Sequence, residues 1–423
     1  MLRLSLFLLV FSCLLCFSFF YLSKKISYLF KKHHKKKIYI FVAIMELFIF
    51  VGFIGLRLIR PQHEIPFLFH AIAWISYTLM GFLSFTMSLF LLSDILFYFK
   101  SFFIENKKKV DLNKRKFITS GIFIAASALT GKSFYNAVTF PKLKNVSIFF
   151  PHLPKELENF RIIQITDLHF GLTLGKEYCE DIVNKINNSN ADIIAITGDF
   201  ADGFPHQLKS LIESLSQLKS KYGVYYVTGN HEYYWGAEGW INHLKSLGAI
   251  YLENEHKIID VQGHKIALAG VPDLTSKNYD KSKVSSPQKA ILNCPADVSL
   301  KICLAHQPKS AFEAADAGFH LQLSGHTHGG QFWPWTWVIP LVQPFVAGLT
   351  HYKNMKLYVS RGTGYWGPPA RLGSPSEITV IDFNPRLKSG EYSKRDWTRP
   401  EFLESGNNPD LKDRDFSHLL KNG

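Results

Sequence analysis

Cysteine is scarce in this chain of 423 residues, which contains only five. Cys13 and Cys16 lie inside an apolar run, and Cys179, Cys294 and Cys303 show no paired spacing. A disulfide framework needs a larger, evenly paired set, and a cysteine-rich zinc site needs repeated Cys-x-x-Cys elements. The sequence therefore excludes both kinds of site.

Acidic residues are scarce in the first third of the chain. Residues 1–140 contain 18 Lys and Arg but only 5 Asp and Glu, so they carry almost all of the net charge of +14. A nucleic-acid-binding protein carries its excess positive charge on a folded face, whereas here the charge lies between apolar runs. It therefore predicts a membrane topology and no nucleic-acid partner.

Long apolar runs are present in this third. Residues 4–23 and 65–93 have no charged side chain, and residues 38–56 have only Glu46. Each run reaches the length of about 20 residues that crosses a bilayer. A fourth run, residues 117–131, is shorter than the usual range of about 17–25 residues. We predict three membrane-spanning helices and leave the fourth open.

The basic residues predict the orientation. Seven lysines lie between residues 24 and 37 and seven basic residues lie between 100 and 116, whereas only Arg57 and Arg60 follow the second run. By the positive-inside rule, the first and third loops are cytoplasmic. If the fourth run crosses, the rest of the chain is extracytoplasmic. We expect this topology, with the protein as a multi-pass protein of the cell membrane.

From about residue 140 the sequence predicts a globular α/β domain, because short β-branched runs alternate with amphipathic stretches. The predicted strands are residues 161–166, 193–197, 224–228, 265–269, 300–305, 320–324, 356–360 and 378–382, and the predicted helices between the first three are residues 179–187 and 206–219. The predicted domains are a transmembrane region (1–132), a linker with an entry strand (133–158), the globular domain (159–385) and a polar tail (386–423).

Metal-binding residue types follow five of the predicted strands. They are Asp167, His169, Asp199, Asn230, His306, His326 and His328. Open α/β sheets place ligands beyond the carboxyl ends of their strands, and oxygen and imidazole donors suit Mn, Fe, Zn or Mg. If one carboxylate is shared, seven residues give two ions four protein contacts each. Two such divalent ions can clamp both oxygens of an in-line displacement at phosphorus.

These residues stand in motifs that resemble the calcineurin-like metallophosphoesterase family over about residues 159–383. The motifs are Asp167-x-His169, Gly198-Asp199-x-x-Asp202, Gly229-Asn230-His231-Glu232, His306, and Gly325-His326-x-His328. The Gly-Gly-Gln after His328 resembles the membrane-anchored bacterial branch, a layout that several vertebrate transmembrane relatives share. The resemblance implies an αββα two-sheet sandwich preceded by an α-helical membrane region, where the residue pattern alone indicates only α/β.

The resemblance also implies roles for individual residues. Asp167, His169, Asp199 and His328 would hold the first ion, and Asp199, Asn230, His306 and His326 the second. His231 would bind phosphate or protonate the leaving oxygen, and Asp202 would orient it. The nucleophile would be a metal-bound hydroxide.

Two arginines are candidate substrate contacts. Arg361 and Arg371 follow the last motifs, and a guanidinium group suits bidentate phosphate binding. Surface salt bridges are an equally good interpretation of both.

Residues 332–350 contain no charge and begin with Phe-Trp-Pro-Trp-Thr-Trp. Such a stretch can enter the bilayer interface or cover an acyl chain, in which case the substrate is amphipathic. A packed lid is the alternative.

We interpret the chain as a membrane-anchored dimetal phosphohydrolase. Its substrate would be a phosphodiester, pyrophosphate or phosphomonoester of a small molecule or lipid, with membrane lipids as further partners. One alternative is a partner-binding or transport module with an accessory phosphoesterase domain. A degenerate binding domain is the other, but it should lack a metal ligand or His231, and none is missing.

Overall fold

The computed structural model describes residues 2–30, 32–56, 66–102 and 112–385 and divides into two compact units. The first unit contains residues 1–139 with the short segments 332–334 and 367–372, and the second contains the remainder. The predicted tail, Arg57, Arg60 and three of the seven basic residues of the third loop, Lys107, Lys108 and Lys109, lie outside the described residues. The domain boundaries inferred from the sequence stay a prediction.

The first unit consists of long apolar helices. They are α1 (Leu2–Ile26), α2 (Lys35–Phe50), continued by a π-helical turn (Val51–Gly55), α3 (Phe67–Phe102) and α4 (Leu112–Val138). All four include a stretch long and apolar enough to cross a membrane. The fourth run was predicted to be short, but it forms the centre of the 27-residue α4. The helix continues through Lys116 and Lys132 because lysine is a good helix former.

Polar side chains link the helices of the first unit. Glu46 of α2 is buried and accepts a hydrogen bond from the Ser18 hydroxyl of α1. Asp94 of α3 accepts hydrogen bonds from Lys25 Nζ at 2.5 Å and from the Tyr21 hydroxyl at 2.7 Å. In apolar surroundings, interhelical hydrogen bonds of this kind hold helices together. Glu46, the one charged residue of the second apolar run, therefore has a partner on a neighbouring helix.

The second unit consists of twelve strands and seven short α-helices among its described residues. The strands are β1 (Lys142–Phe149), β2 (Arg161–Ile165), β3 (Ile193–Thr197), β4 (Val224–Val227), β5 (Ile250–Tyr251), β6 (Glu255–Val261), β7 (His264–Gly270), β8 (Val298–Leu304), β9 (Leu321–Ser324), β10 (Gly348–Tyr352), β11 (Met355–Val359) and β12 (Glu377–Asn384). The helices are α5 (Lys176–Asn187), α6 (Pro205–Leu208), α7 (Asn230–Tyr234), α8 (Ala237–Ser246), α9 (Pro287–Ala290), α10 (Ala311–Asp316) and α11 (Trp335–Val338).

The strands form two mixed six-stranded sheets. The first has the order β1-β12-β2-β3-β4-β5 and is parallel except between β12 and β2. The second has the order β10-β11-β9-β8-β7-β6 and is antiparallel at β10/β11 and β7/β6. These two mixed sheets with helices confirm the expected α/β fold in its two-sheet form.

The main core lies between the two sheets. Leu300, Ile302 and Leu304 of β8 join it with residues of the first sheet, whereas Cys303 belongs to a second cluster that includes Ala311 of α10. Successive residues of a strand face opposite sides, so β8 is buried on both faces. Both sheets are thereby fixed with respect to each other.

The helix predicted over residues 206–219 is wrong. The chain forms the single turn α6 there, followed by 3-10 turns at Lys209–Leu211 and Glu213–Gln217. Serine side chains compete for backbone groups in such segments, and the Ser216 hydroxyl donates to the Glu213 carbonyl at 2.6 Å. The amphipathic pattern of residues 206–219 therefore indicates that one side of the segment is buried, but it does not indicate a continuous helix.

Candidate metal centre

The predicted metal ligands follow the carboxyl ends of strands from both sheets. Asp167 and His169 follow β2, Asp199 follows β3 and Asn230 follows β4 of the first sheet; His306 follows β8, and His326 and His328 follow β9 of the second. All but His326 are buried. Each short, buried strand thus presents polar groups at the same end of the sandwich.

A first group of ligand atoms comes from β2 and β9. His169 Nε2 lies 3.1 Å from His328 Nε2, which lies 3.3 Å from Asp167 Oδ1. One donor atom from each of the three residues lies within 4.8 Å of the others. Two imidazole nitrogens and a carboxylate oxygen at these distances are suited to a common cation.

A second group combines β3, β8 and β9. His306 Nε2 lies 3.1 Å from Asp199 Oδ2 and 3.3 Å from His326 Nδ1. Asp199 Oδ2 also lies 4.0 Å from His169 Nε2 of the first group. The Asp199 carboxylate therefore faces both groups.

Asn230 joins this arrangement through its neighbours. The backbone N–H of His231 donates to Asp199 Oδ1 at 2.9 Å, and the Asn230 amide nitrogen donates to the Tyr234 hydroxyl at 3.4 Å. Asn230 Oδ1 is buried and accepts no hydrogen bond from the described residues. A buried carbonyl oxygen without a donor costs about 1–3 kcal/mol, which a cation would offset.

The tautomer of His306 also fits metal binding. Its Nδ1 lies 2.8 Å from the Thr197 carbonyl oxygen, which can only accept, so Nδ1 carries a hydrogen and Nε2 is the nitrogen left to bind a cation. This is the usual arrangement of a histidine that binds a metal through the other nitrogen. With nitrogen and oxygen donors only, the residues present fit divalent cations.

Five of the candidate ligands have left-handed backbone conformations. The φ angles are 52° at Asp167, 48° at His169, 52° at Asp199, 72° at His326 and 50° at His328. Residues other than glycine rarely adopt this backbone region, and each residue that does so costs of order 1–3 kcal/mol of stability. The surrounding fold imposes these angles, and strain of this kind concentrates at functional sites.

Two glycines allow the close approach of the carboxylates. A side chain at Gly229 would overlap the Asp199 carboxylate, and one at Gly325 would overlap the Asp167 carboxylate. With Gly325 in place, the His326 backbone N–H donates to both Asp167 oxygens at 3.0 Å. The glycines of the sequence motifs therefore keep space for the candidate ligands.

His231 and Asp202 form a short contact beside the two groups. His231 Nδ1 lies 2.5 Å from Asp202 Oδ1, and His231 Nε2 lies 3.9 Å from Asp199 Oδ2. Asp202 Oδ2 also lies 3.4 Å from His169 Nδ1. One donor atom from each of His231, His169 and Asp199 also lies within 4.8 Å of the others. Geometry alone therefore permits His231 as a ligand.

The surrounding histidines keep two of these carboxylates ionised. Burial raises the pKa of Asp199, but His306 and His231 outweigh burial and hold that pKa well below its usual range. Burial likewise raises the pKa of Asp202, while His231 and His169 hold it well below its usual range. Negative charge is therefore concentrated where cations would bind.

Comparison with known proteins agrees with this geometry. The family described as calcineurin-like phosphoesterase matches residues 160–330. A protein named "Uncharacterized metallophosphoesterase" from Helicobacter pylori (strain ATCC 700392 / 26695) is 34% identical over 311 residues, which cover 72% of this chain and 81% of the relative. A "Transmembrane protein with metallophosphoesterase domain" from Danio rerio is 37% identical over 276 residues, covering 63% of this chain and 62% of that protein.

The chain belongs to the calcineurin-like phosphoesterase family. The resemblance found in the sequence is confirmed, and the relatives include bacterial proteins and eukaryotic transmembrane ones. This phosphoesterase is therefore a hydrolase of a metal-dependent family, and its apolar helices, like its transmembrane relatives, indicate membrane association. Among solved structures, the calcineurin-like phosphoesterase YfkN from Bacillus subtilis gives a TM-score of 0.34 at 16% identity, covering 48% of this chain and 82% of that chain.

The two predicted substrate arginines of this phosphoesterase lie in different units. Arg361 lies close to Gly329, the residue directly after His328: a Cβ atom added at Gly329 would be 3.2 Å from Arg361 Cγ. Its Nη1 atom lies 3.9 Å from Glu377 Oε2. Arg371 is fully buried in the first unit, where its N–H donates to the Ser133 carbonyl at 3.0 Å. Substrate binding by either arginine stays a prediction.

Glu232 supports the site, a role that the sequence analysis missed. Its carboxylate accepts hydrogen bonds from the backbone N–H groups of Gly229 at 2.5 Å, Phe200 at 2.5 Å and Asp199 at 3.1 Å. Burial, together with the charge of Asp199, raises the pKa of Glu232 to about 7. The signal was available, because a Glu three residues after a helix N-cap commonly bonds back to the cap N–H.

Asp273, after β7, was also missed. It is buried and accepts hydrogen bonds from Gln307 Nε2 at 3.0 Å and from the Thr275 N–H at 2.8 Å. It thereby fixes the residue that follows His306.

We expect Glu232→Gln to weaken metal binding by about 10- to 100-fold, the usual effect of removing a supporting partner of metal ligands. The amide keeps the shape but offers one accepting oxygen to three backbone donors. Metal content after dialysis at graded free Mn²⁺ measures the effect. Glu253→Gln, which alters a partly exposed ion pair with Lys283, is the matched control. Equal retention by both variants would contradict the supporting role.

Proposed function

We propose that this phosphoesterase is a membrane-anchored hydrolase that uses two divalent metal ions, of Mn, Zn, Fe or Mg, to cleave phosphodiester or pyrophosphate bonds in a lipid-linked substrate. The observation that carries the proposal is the Asp199 carboxylate, which faces both groups of ligands, with His231 beside it. Asp167, His169, Asp199 and His328 would hold one ion, and Asp199, Asn230, His306 and His326 the other.

Two divalent cations at these positions would neutralise phosphate charge and lower the pKa of water. In the overall reaction, a water oxygen forms a bond to phosphorus and the bond from phosphorus to the leaving oxygen breaks. The described residues near the site therefore need only hold the phosphate and supply a proton to the leaving oxygen.

His231 is placed to supply that proton. Asp202 stays ionised and can accept the Nδ1 hydrogen of His231, which would leave Nε2, 3.9 Å from Asp199 Oδ2, as the nitrogen that holds the transferable hydrogen. Transfer of that hydrogen to the leaving oxygen neutralises the charge that develops there, as in general acid catalysis. Asp202 acts through His231 and is a positioning residue.

The proposed hydrolysis is tested with the full chain in detergent, Mn²⁺ and bis(p-nitrophenyl) phosphate. We expect release of p-nitrophenolate by the native chain and none by Asp199→Asn, which removes charge from both ion positions. Release of nitrophenolate from the monoester alone would redirect the proposal to phosphomonoesters. Full activity of Asp199→Asn would contradict the dimetal assignment.

His231→Ala distinguishes a proton donor from a metal ligand. We expect the variant to retain bound metal and to lower kcat by about 10²-fold or more. Metal content and kcat are measured on the same preparation, with the exposed His206→Ala as control. Loss of metal from His231→Ala would assign His231 to the ligands instead.

The lipid-linked substrate is supported by the segment after the last ligands. Residues 332–350 carry no charge, and α11 and the 3-10 turn that follows it contain no buried residue. Five large apolar side chains there are exposed: Trp335, Trp337, Val338, Leu341 and Val342. A lid packed over the site would bury these groups, whereas tryptophan and aliphatic side chains favour a bilayer interface.

Replacing Trp337 and Leu341, which are 72% and 75% exposed, by serine tests this segment. Because each loses apolar contact with lipid, we expect the KM for hexadecyl p-nitrophenyl phosphate in vesicles to rise about tenfold or more. Hydrolysis of ethyl p-nitrophenyl phosphate in solution should fall much less. Leu292→Ser, at another exposed position, is the control. Equal losses on both substrates would favour a packed lid.

We further propose that the second unit is extracytoplasmic, since the length and apolarity of α4 support a fourth crossing. With the native Cys13, Cys16 and Cys294 replaced by alanine, an impermeant maleimide added to intact cells should then label Leu292→Cys, an exposed residue of the second unit, and not Phe30→Cys, an exposed residue after α1. Permeabilised cells should label both. Labelling of Phe30→Cys alone in intact cells would place the second unit in the cytoplasm.

A further inference from the structure

Two aromatic rings lie beside the proposed proton donor, and a third lies beside one of them. The His231 ring centroid is 5.1 Å from that of Tyr234 and 5.9 Å from that of Trp366, and Tyr279 lies 6.5 Å from Tyr234. Tyr234 and Tyr279 are 49% and 58% exposed, although the ligands next to them are nearly all buried. Two large exposed rings beside a buried polar centre are typical of a binding surface.

Hydrogen bonds and ring contacts hold these three residues in place. The Gln331 side chain bonds to both backbone groups of Trp366: its Oε1 accepts from the N–H at 2.9 Å, and its Nε2 donates to the carbonyl at 3.0 Å. The Tyr234 hydroxyl accepts from the Asn230 amide, and the Tyr279 ring lies 5.7 Å from that of Tyr233 at an interplanar angle of 33°. The rings are therefore preorganised, which lowers the entropy cost of binding.

We propose that Tyr234, Tyr279 and Trp366 form a subsite for a planar ring in the leaving group of the substrate, such as a nucleobase. The assignment rests on the proposed function, because the group that takes the proton of His231 is the leaving group. A leaving group that extends from that oxygen past His231 would meet these rings. Aromatic side chains bind bases by stacking, and ring pairs at 4.5–7 Å attract each other.

A binding measurement tests the subsite without turnover. The full chain loaded with Mn²⁺ is titrated with uridine 5′-monophosphate and with ribose 5-phosphate, which has the same phosphate and sugar but no base. We expect the base to tighten binding by about 5- to 100-fold, the usual range for one stacked base. Phenyl phosphate in a third titration distinguishes an aryl group from a nucleobase: binding as tight as the nucleotide's would assign the subsite to aromatic rings in general.

Variants of Tyr279 attribute any preference to the rings. Tyr279 is the most exposed of the three rings, and Tyr279→Leu keeps apolar volume while removing the planar face. The affinity ratio of uridine 5′-monophosphate to ribose 5-phosphate should fall towards one in Tyr279→Leu and be restored in Tyr279→Phe. Leu292→Ala, at an exposed position, should keep the native ratio.

A matched pair of pyrophosphates gives the second readout. Both carry the same alkyl phosphate, and the leaving group is either uridine 5′-monophosphate or ribose 5-phosphate, so the leaving-group pKa is the same. We expect the base-bearing compound to have the higher kcat/KM. Turnover of both at equal kcat/KM would overturn the subsite alone, whereas ring-dependent binding without turnover would overturn the hydrolytic function alone. Equal affinities in the titrations, or a preference that Tyr279→Leu and Tyr234→Leu both retain, would overturn the subsite.

Discussion

The buried carboxylate of Asp199 is the group on which both halves of the site depend. It is 2% exposed, yet it lies 3.1 Å from His306, 3.9 Å from His231 and 4.0 Å from His169. A buried charge is stable only when it is paired and hydrogen-bonded. The backbone N–H of His231 donates a hydrogen bond to this carboxylate, and the neighbouring histidines stabilise its negative charge. Bound cations would add to that stabilisation.

The arrangement around Asp199 requires both sheets. Asp167, Asp199 and Asn230 come from the first sheet, whereas His306 and His328 come from the second. Neither sheet alone brings a complete set of donors together, so the site depends on the core between the sheets. The same five ligands with left-handed backbone angles all follow strands of the two sheets, so the packed strands help to hold these angles.

The local sequence predicted the structure well where a buried strand is followed closely by Asp, Asn or His. The strand Ile193–Thr197 was predicted at its observed bounds, and the grouping of the candidate ligands followed from their positions after such strands. Other features depend on contacts that no local pattern records. The helix over residues 206–219 was wrong because the segment forms 3-10 turns in which Ser216 bonds to the Glu213 carbonyl, and α4 is longer than its apolar centre.

The rings near His231 show the same limit. Tyr279 and Trp366 are distant from His231 in the chain, and only the folded loops bring them together. Glu232 is the exception, since its position after the helix N-cap predicts its hydrogen bonds to the backbone. Sequence motifs thus identified the candidate metal ligands and the proposed proton donor, while the rings of the proposed subsite are brought together only by the fold.

The number of metal ions bound per chain tests the central claim most directly. The full chain is purified in detergent, loaded with Mn²⁺, freed of excess metal, and its metal and protein contents are measured on the same sample. We expect two ions per chain, because the Asp199 carboxylate faces two groups of donors. One ion per chain at saturation, or none, would contradict it.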